Sequence, residues 1–121
     1  MKNPVGYFEI PVNDLDRAVA FYEIVFGYQL ERTLIDGHEM ALFPSSDQAV
    51  GITGALVKGD SYIPGKAGSR LYFITENIDE TLNMVLSQGG KVLYPKTSIG
   101  DLGWVAEFED VEGNCIALHS S

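Results

Sequence analysis

Tyr7-Phe8-Glu9-Ile10-Pro11-Val12-Asn13-Asp14-Leu15-Asp16 recurs in pattern further along the chain as Arg70-Leu71-Tyr72-Phe73-Ile74-Thr75-Glu76-Asn77-Ile78-Asp79. Each stretch alternates in the period of a strand and then reaches a residue suited to cap a helix. The displacement that takes Tyr7 to Arg70 also takes Val19 to Leu82, Tyr22 to Val85 and Gly27 to Gly90. A strand, a turn, an amphipathic helix and its glycine stop are therefore all repeated. With a slightly longer displacement the match continues from Gly37 to Gly103, Phe43 to Glu109, Val50 to Ile116 and Thr53 to His119. Identity between the copies is low, so the order of elements and the spacing of turn residues carry the repeat. Two copies of one unit imply a pocket between them.

In the first copy Phe8, Ile10 and Val12 share one strand face, and Asp14 reads as the N-cap of a helix whose apolar stripe is Leu15, Ala18, Val19, Tyr22 and Phe26. Gly27 supplies the left-handed stop. Strands near residues 29–34, 39–43 and 49–53, the last two joined through residues 44–48, complete a βαβββ unit. In the second copy a strand over 70–74 leads to Asn77, which with Glu80 makes a capping-box-like start. The helix face is Ile78, Leu82, Val85 and Leu86, and Gly89-Gly90 ends it. Strands near 91–94, 104–108 and 114–119 follow, the last two joined by the turn sequence Asp110-Val111-Glu112-Gly113. Residues 58–68 are rich in Gly and Pro without periodicity, a connector able to fold over the pocket. The expectation is one α+β domain over 1–121, with repeat one at about 5–57 and repeat two at about 69–121. Its two βαβββ repeats would form a curved mixed sheet with a concave pocket.

Composition bounds the function. The 121 residues are 45% hydrophobic, ordinary for a globular domain. Lys+Arg 8 against Asp+Glu 17 gives a net charge of −9, which argues against nucleic acid or an anionic membrane as partner. The single Cys115 cannot form an internal disulfide, and no apolar run is long enough to span a membrane. Met-Lys-Asn-Pro does not resemble a signal peptide, so the cytoplasm is the default location.

One face of each sheet must meet its helix. The most apolar sets mark that face: Phe8, Ile10 and Val12; Met40 and Leu42; Val50 and Ile52; Leu71 and Phe73; Trp104, Ala106 and Phe108; Ile116 and Leu118. His38 falls in the same helix-side register. Alternation sends Tyr7, Glu9, Glu39, Ala41, Gly51, Thr53, Arg70, Tyr72, Glu107, Cys115, Ala117 and His119 to the concave face. Three carboxylates, an arginine, a histidine and two tyrosines are too polar for an inert sheet core and too mixed for a plain solvent face, which favours a ligand pocket. Taken singly, each Glu also suits a solvated strand end, Arg70 a structural ion pair and His119 an ordinary surface histidine.

The order βαβββ twice, the opening residues 7–22 and the ending Phe108-Glu109-Asp110-Val111-Glu112-Gly113-Asn114 resemble the glyoxalase / bleomycin-resistance / extradiol-dioxygenase superfamily, also called vicinal oxygen chelate proteins. The similarity covers essentially the whole chain. It is greatest to the branch of predicted enzymes related to lactoylglutathione lyase, in which Gly89-Gly90-Lys91-Val92 followed by Pro95-Lys96-Thr97 is also typical. The resemblance implies a divalent metal held by His and Glu side chains on the concave face, one from the first and one from the last strand of each copy. Carried onto this chain, those positions are Tyr7, Gly51 or its neighbour Ile52, Arg70 and Ala117, none a usual ligand. The expectation is therefore no metal and no other cofactor. Lactoylglutathione lyase and extradiol dioxygenase activities, metal-dependent in the relatives, are expected to be absent.

In place of the metal, Arg70 would bind a carboxylate, enolate or phosphate oxygen. Glu9 or Glu107, if buried, would be a base of raised pKa for proton abstraction beside a carbonyl, and Tyr7 or Tyr72 a hydrogen-bond donor. Glu39, Gly51, Thr53, Ala117 and His119 complete the expected ligand-binding lining. The leading expectation is a metal-independent lyase or isomerase acting on a small oxygenated metabolite. The alternatives are a bleomycin-resistance-like protein that sequesters an antibiotic and a non-catalytic structural or regulatory member. The resemblance also implies a homodimer.

Overall fold

The computed structural model describes residues 2–48 and 51–121 and contains the βαβββ order twice. The first unit comprises β1 (Phe8–Pro11), α1 (Leu15–Phe26), β2 (Glu31–Ile35), β3 (His38–Leu42) and β4 (Gly54–Lys58). The second comprises β5 (Tyr72–Ile74), α2 (Ile78–Ser87), β6 (Lys91–Ser98), β7 (Trp104–Glu109) and β8 (Cys115–Ser120), with a single 3₁₀ turn at Gly100–Leu102 before β7. The strands form two four-stranded mixed sheets, ordered β1-β4-β3-β2 and β5-β8-β7-β6, one from each βαβββ repeat, in the α+β arrangement that the sequence implied. In each, the first strand pairs parallel with the last and the other neighbours run antiparallel.

Local chemistry sets both helices. The Asp14 carboxylate accepts a hydrogen bond from the Arg17 backbone N–H, and Gly27 stops α1 at φ 72°. Asn77 accepts from the Glu80 N–H in the same way, and the Gly90 N–H returns to the Val85 carbonyl at 2.9 Å to close α2. The stripes of the two helices meet in one core. Ile10, Val12, Ala18, Tyr22 and Leu56 of the first copy pack in it with Phe73, Ile78, Val85, Phe108 and Leu118 of the second.

A buried polar cluster also ties the copies together. Asp110 accepts from the Tyr22 hydroxyl and from the backbone N–H groups of Glu112 and Asn114. Glu112 accepts from the Asn13 backbone N–H and from Nε and Nη2 of Arg17 at the start of α1. The Asn114 amide donates to the Pro11 carbonyl at 2.8 Å. The turn beginning at Asp110 is thus a clamp on the β1–α1 junction. Each buried polar atom in it has a partner, which offsets the cost of burial.

The first copy departs from expectation in its last strand. The expected strand over 49–53 is not found in its described part: residues 51–53 lie in the β3–β4 connection, while Ala49 and Val50 lie outside the described residues. β4 begins at Gly54, where a side chain would collide with the Phe8 carbonyl and ring, so glycine permits the close β1–β4 approach. In Gly54-Ala55-Leu56-Val57 every residue is buried, because both faces are covered. Leu56 faces the main core, whereas Ala55 and Val57 join Met40 beneath Leu42 and Tyr62. This run lacks the alternation that marks a strand with one wet face.

β3 is also turned over relative to expectation. Ala41 and Phe43 enter the helix-side core, while Met40 and Leu42 lie on the opposite face. Glu39 therefore shares the register of Ala41, and His38 faces the Tyr62 ring at a centroid distance of 5.3 Å. Trp104, expected in the core, is 40% exposed at a strand end with Lys96 Nζ 4.7 Å over its ring.

Candidate binding cleft

β1 and β5 are edge strands of their respective sheets, and an open cleft lies on each side of the seam between them. The concave-side cleft has a volume of about 790 Å³. Tyr7, Glu9 and Pro11 line it from the first copy, Arg70 and Cys115 from the second, and Ile63 to Ala67 form a wall from the connector. Three polar contacts hold that wall: the Tyr62 hydroxyl donates to Glu9 Oε1 at 2.8 Å, the Gly65 N–H donates to Asn114 Oδ1 at 3.0 Å, and Lys66 Nζ lies 3.1 Å from Glu109 Oε1.

Glu9 sits between two phenols. Tyr7 donates to its Oε2 at 3.1 Å and Tyr62 to its Oε1 at 2.8 Å. Burial, then the hydrogen bond and charge of Glu9, push the Tyr7 hydroxyl up to about 12, and the same carboxylate raises Tyr62. The expected base was to be enclosed, but Glu9 is exposed and Glu107 only half-buried.

Arg70 Nη1 donates to Glu107 Oε2 at 3.1 Å, and the Cys115 thiol lies 3.9 Å from Glu107 Oε1. Burial raises the thiol pKa, Arg70 opposes that shift and Glu107 adds to it. Glu107 is thus an ion-pair partner of Arg70, while Glu9 is the carboxylate that shares the cleft with that arginine.

The second cleft, on the helix side of the seam, has a volume of about 510 Å³. Phe8, Tyr28, Phe43, Leu71 and Phe73 make its wall, and Arg70 is its single charged lining side chain among the described residues. Val5, Phe8, Arg70 and Leu71 border both clefts. Gly51 and Thr53 lie here instead of on the concave face, the Thr53 hydroxyl bonding the Pro44 carbonyl at 2.8 Å. Tyr72 reaches this cleft as well.

The other expected site residues line neither cleft. Glu39 is exposed on β3, in the register of the helix-side residues. Ala117 is fully buried opposite Tyr72 and Glu107. His119 Nε2 lies 2.6 Å from the Leu102 carbonyl oxygen. Tyr62 was missed as a partner of Glu9, although an aromatic residue within a Gly/Pro-rich connector is a readable signal. The aromatic chamber had no such signal, because Phe43 and Phe73 look like ordinary core in sequence.

The ladder corrects one transferred metal position. Glu9 pairs with Ala55, and Tyr72, the counterpart of Glu9, pairs with Ala117, so Ala55 and not Gly51 or Ile52 corresponds to Ala117. The four positions become Tyr7, Ala55, Arg70 and Ala117. Two have no donor atom and one is a fixed cation, so these residues do not fit a divalent metal.

Known proteins share this architecture. The sequence profile of the Glyoxalase/Bleomycin resistance protein/Dioxygenase superfamily matches residues 5–118. A glyoxylase-like domain-containing protein of Didymella fabae is 30% identical over 118 residues, covering 94% of this chain and 91% of its own length. Among solved structures, a glyoxylase/bleomycin resistance protein/dioxygenase domain from Frankia sp. EAN1pec superposes with a TM-score of 0.75 at 18% identity, over 100% of this chain and 99% of that one. A genomically encoded fosfomycin resistance protein from Listeria monocytogenes gives 0.71 at 18% identity, over 100% and 93%. The profile match spans both copies of the repeat, and the chain belongs to the Glyoxalase/Bleomycin resistance protein/Dioxygenase superfamily.

Proposed function

We propose that this chain binds a small oxygenated metabolite in the concave-side cleft and acts on it as a metal-independent lyase or isomerase. The observation that carries this reading is that Glu9 and Arg70 line one cleft from the two copies of the repeat. The Arg70 guanidinium holds a ligand carboxylate or enolate oxygen, replacing the cation that residues Tyr7, Ala55 and Ala117 are not equipped to bind. Glu9, exposed in the ligand-free chain, is covered by the bound ligand and takes the proton from the carbon beside the ligand carbonyl; the C–H electron pair moves into the new C=C bond and the carbonyl oxygen becomes the enolate. Return of the proton from Glu9 to either face of that carbon, or to a different carbon, completes an isomerisation. Tyr7 and Tyr62, which bond Glu9, hold its carboxylate in place.

The probe is pyruvate in D₂O, with loss of the methyl proton signal followed by NMR. Exchange above the buffer rate that is abolished in Glu9→Gln, with binding retained, supports Glu9 as the base. Unchanged pyruvate affinity and exchange in Arg70→Ala would sink the arginine assignment.

A second reading is an antibiotic-binding protein. A net charge of −9 and a carboxylate between two phenols suit an organic cation. A thermal-shift panel separates the two readings: small anions stabilise under the first and glycopeptide-like cations under the second, while no response to either favours a non-catalytic member. We propose a homodimer, supported by the exposed apolar side chains of Val92, Leu93 and Tyr94. Sedimentation velocity over a hundredfold range of concentration tests that.

A further inference from the structure

The aromatic cleft on the helix side is not used by the proposed chemistry, yet it meets the concave cleft at Arg70. We propose that it is the specificity chamber of the same site, and that the ligand is an aryl-substituted carboxylate with its ring in the chamber and its carboxylate on Arg70. The inference rests on Arg70 being the anion-binding group of the preceding reading, and it adds the class of ligand.

Three features of the chamber select this chemistry. Its wall is made by Phe8, Tyr28, Phe43 and Phe73, and three of their pairs meet edge to face, Phe8 and Phe73 at 70°, Phe43 and Phe73 at 69°, Tyr28 and Phe43 at 87°, while Phe8 and Phe43 are tilted at 41°. A further ring can extend that herringbone, whereas a flexible alkyl chain gains no edge-to-face contact. Second, Arg70 is the chamber's single charged lining side chain among the described residues, in a chain of net charge −9. An ammonium ligand drawn by the overall field would meet a fixed cation at the seam, while a carboxylate meets its partner. Third, it is Nη1 that donates to Glu107, so the guanidinium fork keeps N–H groups for a ligand oxygen. A volume of about 510 Å³ is ample for one substituted ring, and Phe8, Arg70 and Leu71 border both this chamber and the concave cleft that holds Glu9.

Isothermal titration with pyruvate, phenylpyruvate and the uncharged phenylacetone tests the inference on the whole chain. Truncating Phe43 or Phe73 would damage the core, so the informative variant is Ile52→Asp, which places a carboxylate at an exposed rim position of the chamber. Phenylpyruvate is expected to bind about 30-fold more tightly than pyruvate, as burial of one ring implies. The ratio of the two affinities should shrink to within about 3-fold in Ile52→Asp, and Arg70→Ala should weaken both acids alike. Equal affinity for the two acids, with both lost in Arg70→Ala, overturns the chamber and leaves the arginine reading standing. Equal affinity for phenylpyruvate and phenylacetone, with neither affected by Arg70→Ala, overturns the carboxylate contact and the arginine reading with it. A chain that binds neither acid overturns both.

Discussion

The Tyr22 hydroxyl, fully buried on α1, donates a 2.7 Å hydrogen bond to Asp110 Oδ2 in the turn between β7 and β8, joining the two copies of the repeat. The ring serves the core and the hydroxyl serves the clamp. Tyr22→Phe keeps the ring and leaves Oδ2 with the Asn114 amide as its remaining partner. We expect a loss of about 1.5–3 kcal/mol in urea denaturation, the range for a hydrogen bond to a charged group. A loss below about 0.5 kcal/mol would show that the clamp is dispensable.

Burial raises Asp110 above its ordinary value of 3.8, against the pull of its hydrogen bonds from Tyr22, Glu112 and Asn114. The folded chain therefore holds this proton to higher pH than the unfolded chain does. That contribution to stability is complete below 3.8 and is lost as pH rises through the raised folded value. Unfolding free energies measured from pH 3 upward should fall for the wild-type chain relative to Asp110→Asn across that window and run parallel above it. The opposite slope would mean that the hydrogen bonds outweigh desolvation.

The placement of β4 is tested by a pair of glycines. A methyl group at Gly54 would meet the Phe8 backbone, so Gly54→Ala should destabilise by about 2–3 kcal/mol or more. Gly51 has φ 94° and nothing nearby for a methyl to strike, so Gly51→Ala should cost about 1–2 kcal/mol, from backbone conformation alone. Thermal denaturation that ranked the two the other way would return the strand to residues 49–53.

Cys115 reports the charge balance at the ion pair. Arg70 favours its thiolate and Glu107 opposes it. Reaction with a disulfide reagent at pH 8 should be faster in Glu107→Gln and slower in Arg70→Ala than in the wild-type chain. Equal rates in all three would show that the pair does not act on the thiol. Glu107→Gln should also tighten pyruvate binding by about 3–10-fold, because Arg70 is released from its partner.

The sequence carried the fold well where periodicity was one-sided. α1 and α2 match their expected caps, Asp14 and Asn77, and β1, β7 and β8 present the faces that alternation assigned to them. It misled at β3 and β4. There both faces are covered, one by α1 and the other by Tyr62 of the connector, so apolar residues run consecutively and alternation no longer identifies a face. Placing the strand too early in the first copy then carried Gly51 and Thr53 to the concave face and misplaced one of the four metal positions. Of the polar set, Tyr7, Glu9 and Arg70 do meet in one cleft, because they lie on the facing edge strands or immediately before them.

Local sequence determined the repeat, the helix boundaries and the superfamily, since caps, glycine stops and strand alternation act over a few residues and need no distant partner. Tertiary structure decided which side chains share space. It put Tyr62 on Glu9, Glu107 on Arg70 and Asp110 on Tyr22, pairs set by the docking of two sheets and a connector. It also opened the aromatic chamber, where Phe8, Phe43 and Phe73 come from three separate strands or strand ends and read as nothing more than core until the seam between the sheets brings them to a common surface.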